Sequence, residues 1–262
     1  MDIKISRAEE EALIQKLAGR TDAEATRINR YLAMPDLSRT PLSPLNELVS
    51  RIRAIPNFKD FDVIEVPEVM GTDIVFDLFD FPKDHPARSK SDSYFLDETH
   101  VLRTHTTVMW YYYFQQEAIK QKLARKEPMG VFCYGKVYRK DEIDSRHMNV
   151  FHQIDALYIA PKATEPIGLE ALKKVELEIV KAIFGNVESR FAPETFPYTD
   201  PSTEIEIKRD NDWLEILGSG VVKPSVLKML GVDPEVYNGW AWGSGIERWA
   251  MISMKLPDIR LL

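Results

Sequence analysis

Strand-forming segments outnumber the helices available to connect them, and that imbalance limits the folds open to this 262-residue chain. Phe61-Asp62-Val63-Ile64-Glu65-Val66 mixes apolar and acidic positions as a half-buried strand does, and Pro67 closes it. Further strand-like segments fall at residues 131–138, 154–159, 204–207 and 213–217. The one long helical pattern, Leu169–Phe184, sets Leu172, Val175, Ile179 and Ile183 on a single stripe and stops at Gly185. A parallel sheet needs a crossover of a dozen residues, usually a helix, between successive strands. This order lacks them, so the expected class is α+β, with a mostly antiparallel sheet flanked by helices.

Ahead of this body, Ala8, Leu13, Ile14, Leu17 and Ala18 recur among charges as one or two short amphipathic helices would require. Residues 35–44, rich in proline, serine and threonine, read as a linker, and residues 45–55 resume helical spacing. The expected division is a short helical appendage with linker at 1–43 and one main domain at 44–262. A chain with 44% hydrophobic and 29% charged residues can bury a sizeable core. It contains no apolar run of bilayer length, and residues 1–7 lack the core of a secretion signal, so the expectation is a cytoplasmic protein with no membrane contact. Cys133 is the sole cysteine and lies in an apolar run, which excludes an internal disulfide and suits a small buried hydrophobe. The net charge of -7 argues against holding nucleic acid by bulk electrostatics. Any such contact must be local or shared, and Lys120, Lys122, Arg125 and Lys126 read as the solvated face of a helix.

Chemistry-bearing residues gather in two parts of the chain. Gly239-Trp240-Ala241-Trp242-Gly243-Ser244-Gly245-Ile246-Glu247-Arg248 offers glycines that let a backbone approach a ligand, then a planar cation able to stack on a base or pair with phosphate. Upstream, Arg139 and Asp141 share one face at the end of a strand, and a loop with Asp144, Ser145, Arg146 and His147 leads into a second strand. There, alternation puts Phe151, Gln153 and Asp155 side by side, as a recognition surface would; a hairpin with a salt-bridged exposed face has the same pattern. The histidines all fall between His85 and His152 without the close Cys or His pairing of a zinc site, so a metal cluster is not expected from them. Residues 110–114, Trp110 to Phe114, suit an aromatic helix face in the core or at a subunit contact; His100 has no assigned role.

These segments resemble the second and third signature motifs of class II aminoacyl-tRNA synthetases. Arg139 matches the motif 2 arginine, His147 and Phe151 match the end of the motif 2 loop, and Gly243-Ser244-Gly245-Ile246-Glu247-Arg248 matches motif 3. Within that class the chain is similar to the catalytic core of phenylalanyl-tRNA synthetase alpha subunits. The similarity is carried by His85-Pro86-Ala87-Arg88, Leu102-Arg103-Thr104-His105-Thr106, Phe151-His152-Gln153 and Phe196-Pro197-Tyr198-Thr199-Asp200-Pro201, and it runs from about residue 44 to Leu262.

The resemblance implies an ATP-dependent ligase that forms phenylalanyl adenylate and passes the acyl group to tRNA. Arg139 would hold the α-phosphate and, with Arg248, carry the electrostatic catalysis; Phe151 and Arg248 would sandwich the adenine beside Gly245. His147 would reach the outer phosphates, and Glu215 resembles the carboxylate that positions Mg²⁺. For the amino acid, the resemblance assigns His105 and Thr107 to its amino and carboxylate end and Gln153 and Asp155 to the ammonium. Phe196, Tyr198, Ala241 and Gly243 are assigned to the side-chain pocket. Asp141 and Asp155 stand where glutamate is usual, Thr107 where serine is usual and Tyr198 where a second phenylalanine is usual. Trp240 and Trp242 replace smaller aromatics, so the identity of the amino acid rests on how these rings lie. His85 and Arg88 are implied to shape the motif 1 region and a dimer contact. The resemblance further implies a homodimer or association with a beta-like subunit, on which tRNA selection would depend. An adenylating paralogue acting on a non-tRNA acceptor or on another amino acid, and a non-catalytic regulatory relative, are the alternatives to a phenylalanine–tRNA ligase.

Overall fold

The computed structural model of the chain describes residues 1–145, 147–165 and 167–262; Arg146 of the motif 2 loop lies outside them. In chain order the elements begin with β1 (Asp2–Lys4), α1 (Ala8–Ala18), α2 (Ala23–Leu32), α3 (Pro44–Arg53), β2 (Asp62–Glu65), β3 (Val69–Gly71), α4 (Thr72–Val75) and β4 (His100–Leu102). They continue with α5 (Met109–Gln115), α6 (Glu117–Ala124), β5 (Met129–Tyr138), β6 (Val150–Pro161), α7 (Leu169–Phe184) and β7 (Ser189–Glu194). The chain then forms β8 (Thr199–Arg209), β9 (Asp212–Val222), α8 (Pro224–Met229), β10 (Tyr237–Gly245) and α9 (Ile246–Ser253).

An eight-stranded sheet in the order β1-β2-β5-β6-β10-β9-β8-β7 forms the body. β2 runs parallel to β1 and β5, and every other pairing in it is antiparallel. This is the mostly antiparallel α+β sheet that the scarcity of crossover helices predicts. The strand period of two then sorts the side chains. Even positions of β6 and β10, among them Ile154, Ala156, Trp240 and Trp242, enter a core roofed by α3, α7 and α9. Odd positions, Leu157, Ile159 and Ala241, enter a second core with α5 and α8. The pairing Gly243↔Asp155 and Gly245↔Gln153 extends the odd face beyond that core, and the functional cleft opens there.

Helix α7 has the predicted bounds, its stripe Leu172, Val175, Ile179 and Ile183 is buried, and Gly185 ends it at a φ of 74°. The aromatic segment at 110–114 is helical, with Trp110, Tyr113 and Phe114 buried. The first 43 residues do more than precede the sheet. β1 adds a parallel edge strand to it, a feature absent from the sequence reading. Glu10 of α1 accepts the backbone N–H groups of Glu68 (2.6 Å) and Val69 (3.0 Å), and buried Lys136 of β5 donates to the carbonyls of Leu32 (2.9 Å) and Met34 (2.7 Å). That ammonium satisfies orphan carbonyls at the C-terminal end of α2 and pairs with Glu68 at 3.4 Å.

Candidate active site

Polar side chains from the loop after β5 and from β6, β9, β10 and α9 converge on one cleft of about 610 Å³. Arg139, Asp141, His147, Phe151, Gln153, Asp155, Glu215, Gly243, Gly245 and Arg248 line it, together with His105, Phe196 and Tyr198. Thr107 and Ala241 line a recess of about 10 Å³ at its inner end, which shares Asp155, Gly218 and Gly243 with the cleft. Residues assigned from distant parts of the sequence are thus brought together. Two of the glycines are close-approach positions: a Cβ at Gly243 would lie 2.5 Å from an Asp155 carboxylate oxygen, and one at Gly218 would lie 2.6 Å from the Phe196 ring.

The inner end is enclosed and rich in acceptors. Asp155 is 4% exposed and accepts hydrogen bonds from the hydroxyls of Thr106 and Thr107, the latter at 2.8 Å. Burial nevertheless lifts its pKa to about 6. His105 faces a carbonyl, that of Val75, at 3.1 Å, so its Nε2 carries the proton and donates. Burial first, and the nearby Arg139 charge second, push its pKa down to about 3, leaving a neutral ring. Its Nδ1 and the Gln153 Oε1 are both buried without a partner among the described residues. Buried polar atoms in folded proteins are nearly always satisfied. Two bare acceptors beside a carboxylate therefore describe a place for a donor-rich cation.

Aromatic rings wall this end. Tyr198 meets Phe79, Phe81, Trp110 and Phe196 with centroids 5.8–6.4 Å apart. Burial, then the Asp155 charge, push its phenol pKa up, and the Thr107 side chain is its hydrogen-bonding neighbour. Trp240 takes no part, and Trp242 borders only the inner recess. Their rings lie in the opposite core, Trp240 with Phe61 and Tyr158 and Trp242 with Phe132 and Trp249. The departure at Trp240 therefore has no bearing on the pocket, because strand alternation sends its ring through the sheet, whereas Trp242 remains part of the lining of the inner recess.

The outer end is open, and its polar side chains rest against protein neighbours. Arg139 donates through Nε to the Thr104 carbonyl (3.0 Å) and holds its guanidinium 5.3 Å from the Phe151 ring centroid. Arg248 donates to the Glu215 carboxylate at 2.9 Å, and His147 pairs with Asp144 at 3.0 Å. The two expected stacking partners share the cleft, but Phe151 has Arg139 as its cationic neighbour and Arg248 has Glu215. Among the described residues no group of three or more His, Cys, Asp or Glu side chains could hold a metal ion. A cation at Glu215 would thus need oxygens from a bound phosphate to complete its shell.

Several contributors escaped the sequence reading. Phe79 and Phe81 sit in a short irregular segment with no periodicity to mark them. His85, assigned to the motif 1 region, stands at the cleft edge-on to Phe81 (4.8 Å), while Arg88 binds Asp77 and the Phe81 carbonyl. Glu247, buried in the first turn of α9, accepts the backbone N–H of His152 (2.8 Å) and pairs with its imidazole, while His152 Nε2 accepts from the Leu37 N–H. That contact fixes the helix bearing Arg248 against the strand bearing Phe151 and Gln153.

Comparison with known proteins agrees with this geometry. A family model described as tRNA synthetases class II core domain (F) matches residues 27–262. The chain belongs to the class II tRNA synthetase core-domain family. Curated relatives of this synthetase chain include the phenylalanine–tRNA ligase alpha subunit of Nostoc punctiforme, 38% identical over 84% of this chain and 63% of the relative. The alpha subunit of the same name from Brucella suis is 35% identical over 93% of this chain and 70% of the relative. The synthetase chain thus spans about two thirds of the length of these relatives. Among solved structures, a pyrrolysyl-tRNA synthetase from Desulfitobacterium hafniense superposes with a TM-score of 0.62 at 17% identity, covering 96% of this chain and 77% of that one. At that identity the likeness supports the fold alone. No helix among the described residues is long and apolar enough to cross a membrane.

Proposed function

We propose that this chain is the alpha-like catalytic core of a phenylalanine–tRNA ligase, with residues 44–262 as the catalytic domain and 1–43 as its appendage. The amino acid enters the enclosed end, where Asp155, the bare Gln153 Oε1 and the bare His105 Nδ1 receive its ammonium and the Phe196 and Tyr198 rings receive its side chain. ATP occupies the open end. Arg139 neutralises the α-phosphate while an oxygen of the amino-acid carboxylate forms a bond to that phosphorus and the bond to the leaving pyrophosphate breaks. The carboxylate is ionised at neutral pH, so the reaction needs no general base; alignment and charge screening lower its barrier. Arg248 lends a planar cation to the adenine, with Phe151 opposite and Gly245 leaving room, and His147 meets the outer phosphates. Asp141 stands close to the same nucleotide. Mg²⁺, held by Glu215 together with phosphate oxygens, would supply further screening of the phosphate charge. In the second step a terminal ribose hydroxyl of tRNA takes the acyl group and AMP departs. The relatives' description as alpha subunits of a tRNA ligase supports tRNA and a beta-like subunit, or a second copy, as partners.

The pairing of unpartnered buried acceptors with two guanidinium groups in one cleft carries this reading. A screen of the twenty amino acids for ATP–pyrophosphate exchange, followed by charging of purified tRNA, tests it. Exchange restricted to phenylalanine, with charging, is expected. Exchange without charging transfers the activated amino acid to another acceptor, and the absence of exchange with every amino acid overturns the reading.

A further inference from the structure

The inner recess is nearly closed: at about 10 Å³ it has room for roughly one water, far less than an aromatic ring requires. Two of its walls differ in how firmly they are held. Tyr198 is half-buried on the irregular segment between β7 and β8, and its ring borders the open cleft as well as the recess. Trp110 is fully buried on α5, edge-on to Phe79 at 5.4 Å and to Tyr198 at 5.8 Å, and borders the recess without reaching the cleft. A ring entering past Gly218 and Gly243 can displace Tyr198 toward the cleft, whereas Trp110 has packed neighbours behind it and nowhere to retreat.

The polar atoms around the recess point the same way. Thr107 donates to Asp155, Thr199 bonds to Ser202, and Ser219 donates weakly to the Thr203 carbonyl at 3.4 Å. The indole N–H groups of Trp110 and Trp242, both residues of the recess lining, are buried and have no acceptor among the described residues. A core tryptophan ordinarily finds one. Replacing the Trp110 indole by the smaller phenylalanine would leave a void against the recess, so the bulk of this wall is what a ligand would meet.

We infer that Trp110 is a specificity-determining residue, a fixed wall that limits the side-chain pocket to a single unsubstituted six-membered ring. This rests on reading the cleft as an amino-acid-activating site. The floor stops the pocket one ring deep, so fused or para-extended aromatic amino acids are refused for lack of volume rather than by a charged or polar repulsion.

The test is amino-acid-dependent ATP–pyrophosphate exchange by the full chain, with any partner subunit it requires, on phenylalanine, 4-iodophenylalanine and 2-naphthylalanine. The wild-type protein should use phenylalanine at least tenfold better, by kcat/KM, than either larger substrate. Trp110→Leu should raise the ratio of naphthylalanine to phenylalanine at least tenfold and Trp110→Phe by a smaller factor, with the KM for ATP unchanged in both. Trp110→Phe covers the case in which the leucine variant fails to fold. A wild-type protein that takes all the substrates equally overturns the inference, as does a folded variant whose ratio stays put or whose ATP and amino-acid constants deteriorate together. Absence of exchange by the wild type with every amino acid would instead sink the reading of the cleft itself.

Discussion

The two ends of the cleft handle charge in opposite ways. At the inner end the ionisable groups are enclosed, shifted and fixed: Asp155 is raised to about 6, His105 is lowered to about 3, and each is oriented by a neighbouring hydroxyl or carbonyl. At the outer end Arg139, Asp141, His147 and Glu215 are exposed, and Arg248 rests against Glu215 in an ion pair that water can screen. An enclosed site must have its polar atoms placed before the ligand arrives, because nothing else will satisfy them. An open one can exchange one partner for another at little cost. On the proposed function, selectivity for the amino acid belongs to the rigid end, and accommodation of a flexible triphosphate to the adaptable end.

The sharpest way to break this comparison is to remove the cation that serves both. Arg139→Ala should lower the exchange rate by about 10²–10³-fold, the usual loss when a transition-state donor is deleted, with the melting temperature nearly unchanged because the side chain is exposed. Comparable loss of stability would mean that Arg139 is structural. Asp155→Asn should raise the amino-acid KM by roughly 10–100-fold, the worth of a charge-assisted hydrogen bond, without moving the KM for ATP. If both constants rise together, the two ends are not separable.

Acid should act on the enclosed end with two opposite signs. Asp155 has a folded pKa above its unfolded value, so it favours the fold most below pH 4 and loses that contribution as pH rises through about 6. Asp155→Asn should accordingly be more stable than wild type at pH 7 and equal to it near pH 4, as read by thermal melts across that range. His105 has a depressed pKa, so its contribution is present above about pH 6.5 and declines as pH falls toward 3. Binding follows the carboxylate: the affinity for the amino acid should weaken as pH falls through about 6, and a flat titration would place the ammonium elsewhere.

The smallest effects belong to the open end. Arg248→Lys keeps the charge but loses the planar fork, and should raise the KM for ATP by about tenfold with the amino-acid constant unchanged. Glu215→Gln should change unfolding stability by less than about 1 kcal/mol, since the pair it breaks is exposed. A larger loss would show that the outer end is as rigid as the inner.

Much of this comparison was legible in the sequence where chemistry and periodicity coincide. Alternation put Phe151, Gln153 and Asp155 on one face of β6, and the helical stripe set the bounds of α7. The glycine-rich segment was marked as a ligand-approach site, but its strand was not recognised, since Gly239, Gly243 and Gly245 carry no β-forming side chains and the partners β6 and β9 define β10. The edge strand at residues 2–4 is too short to show a period. The ring of Phe81 reaches the cleft and that of Phe79 packs on Tyr198, from a segment that includes Asp80 at a φ of 56°, and only the folded chain reveals their place. Burial of Trp110 was foreseeable from its helix, but its proximity to the recess was not. The positions of Trp240 and Trp242 depend on one parity of one strand, a single step of register that composition does not disclose.

Co-crystallisation with a non-hydrolysable ATP analogue and phenylalanine tests the account most directly. The predicted density puts the ammonium among Asp155, Gln153 and His105 Nδ1, the α-phosphate on Arg139, and the adenine between Phe151 and an Arg248 that has left Glu215. Nucleotide bound with Arg139 and Arg248 turned away from it, or an amino acid seated elsewhere in the molecule, would contradict the division of labour between the two ends.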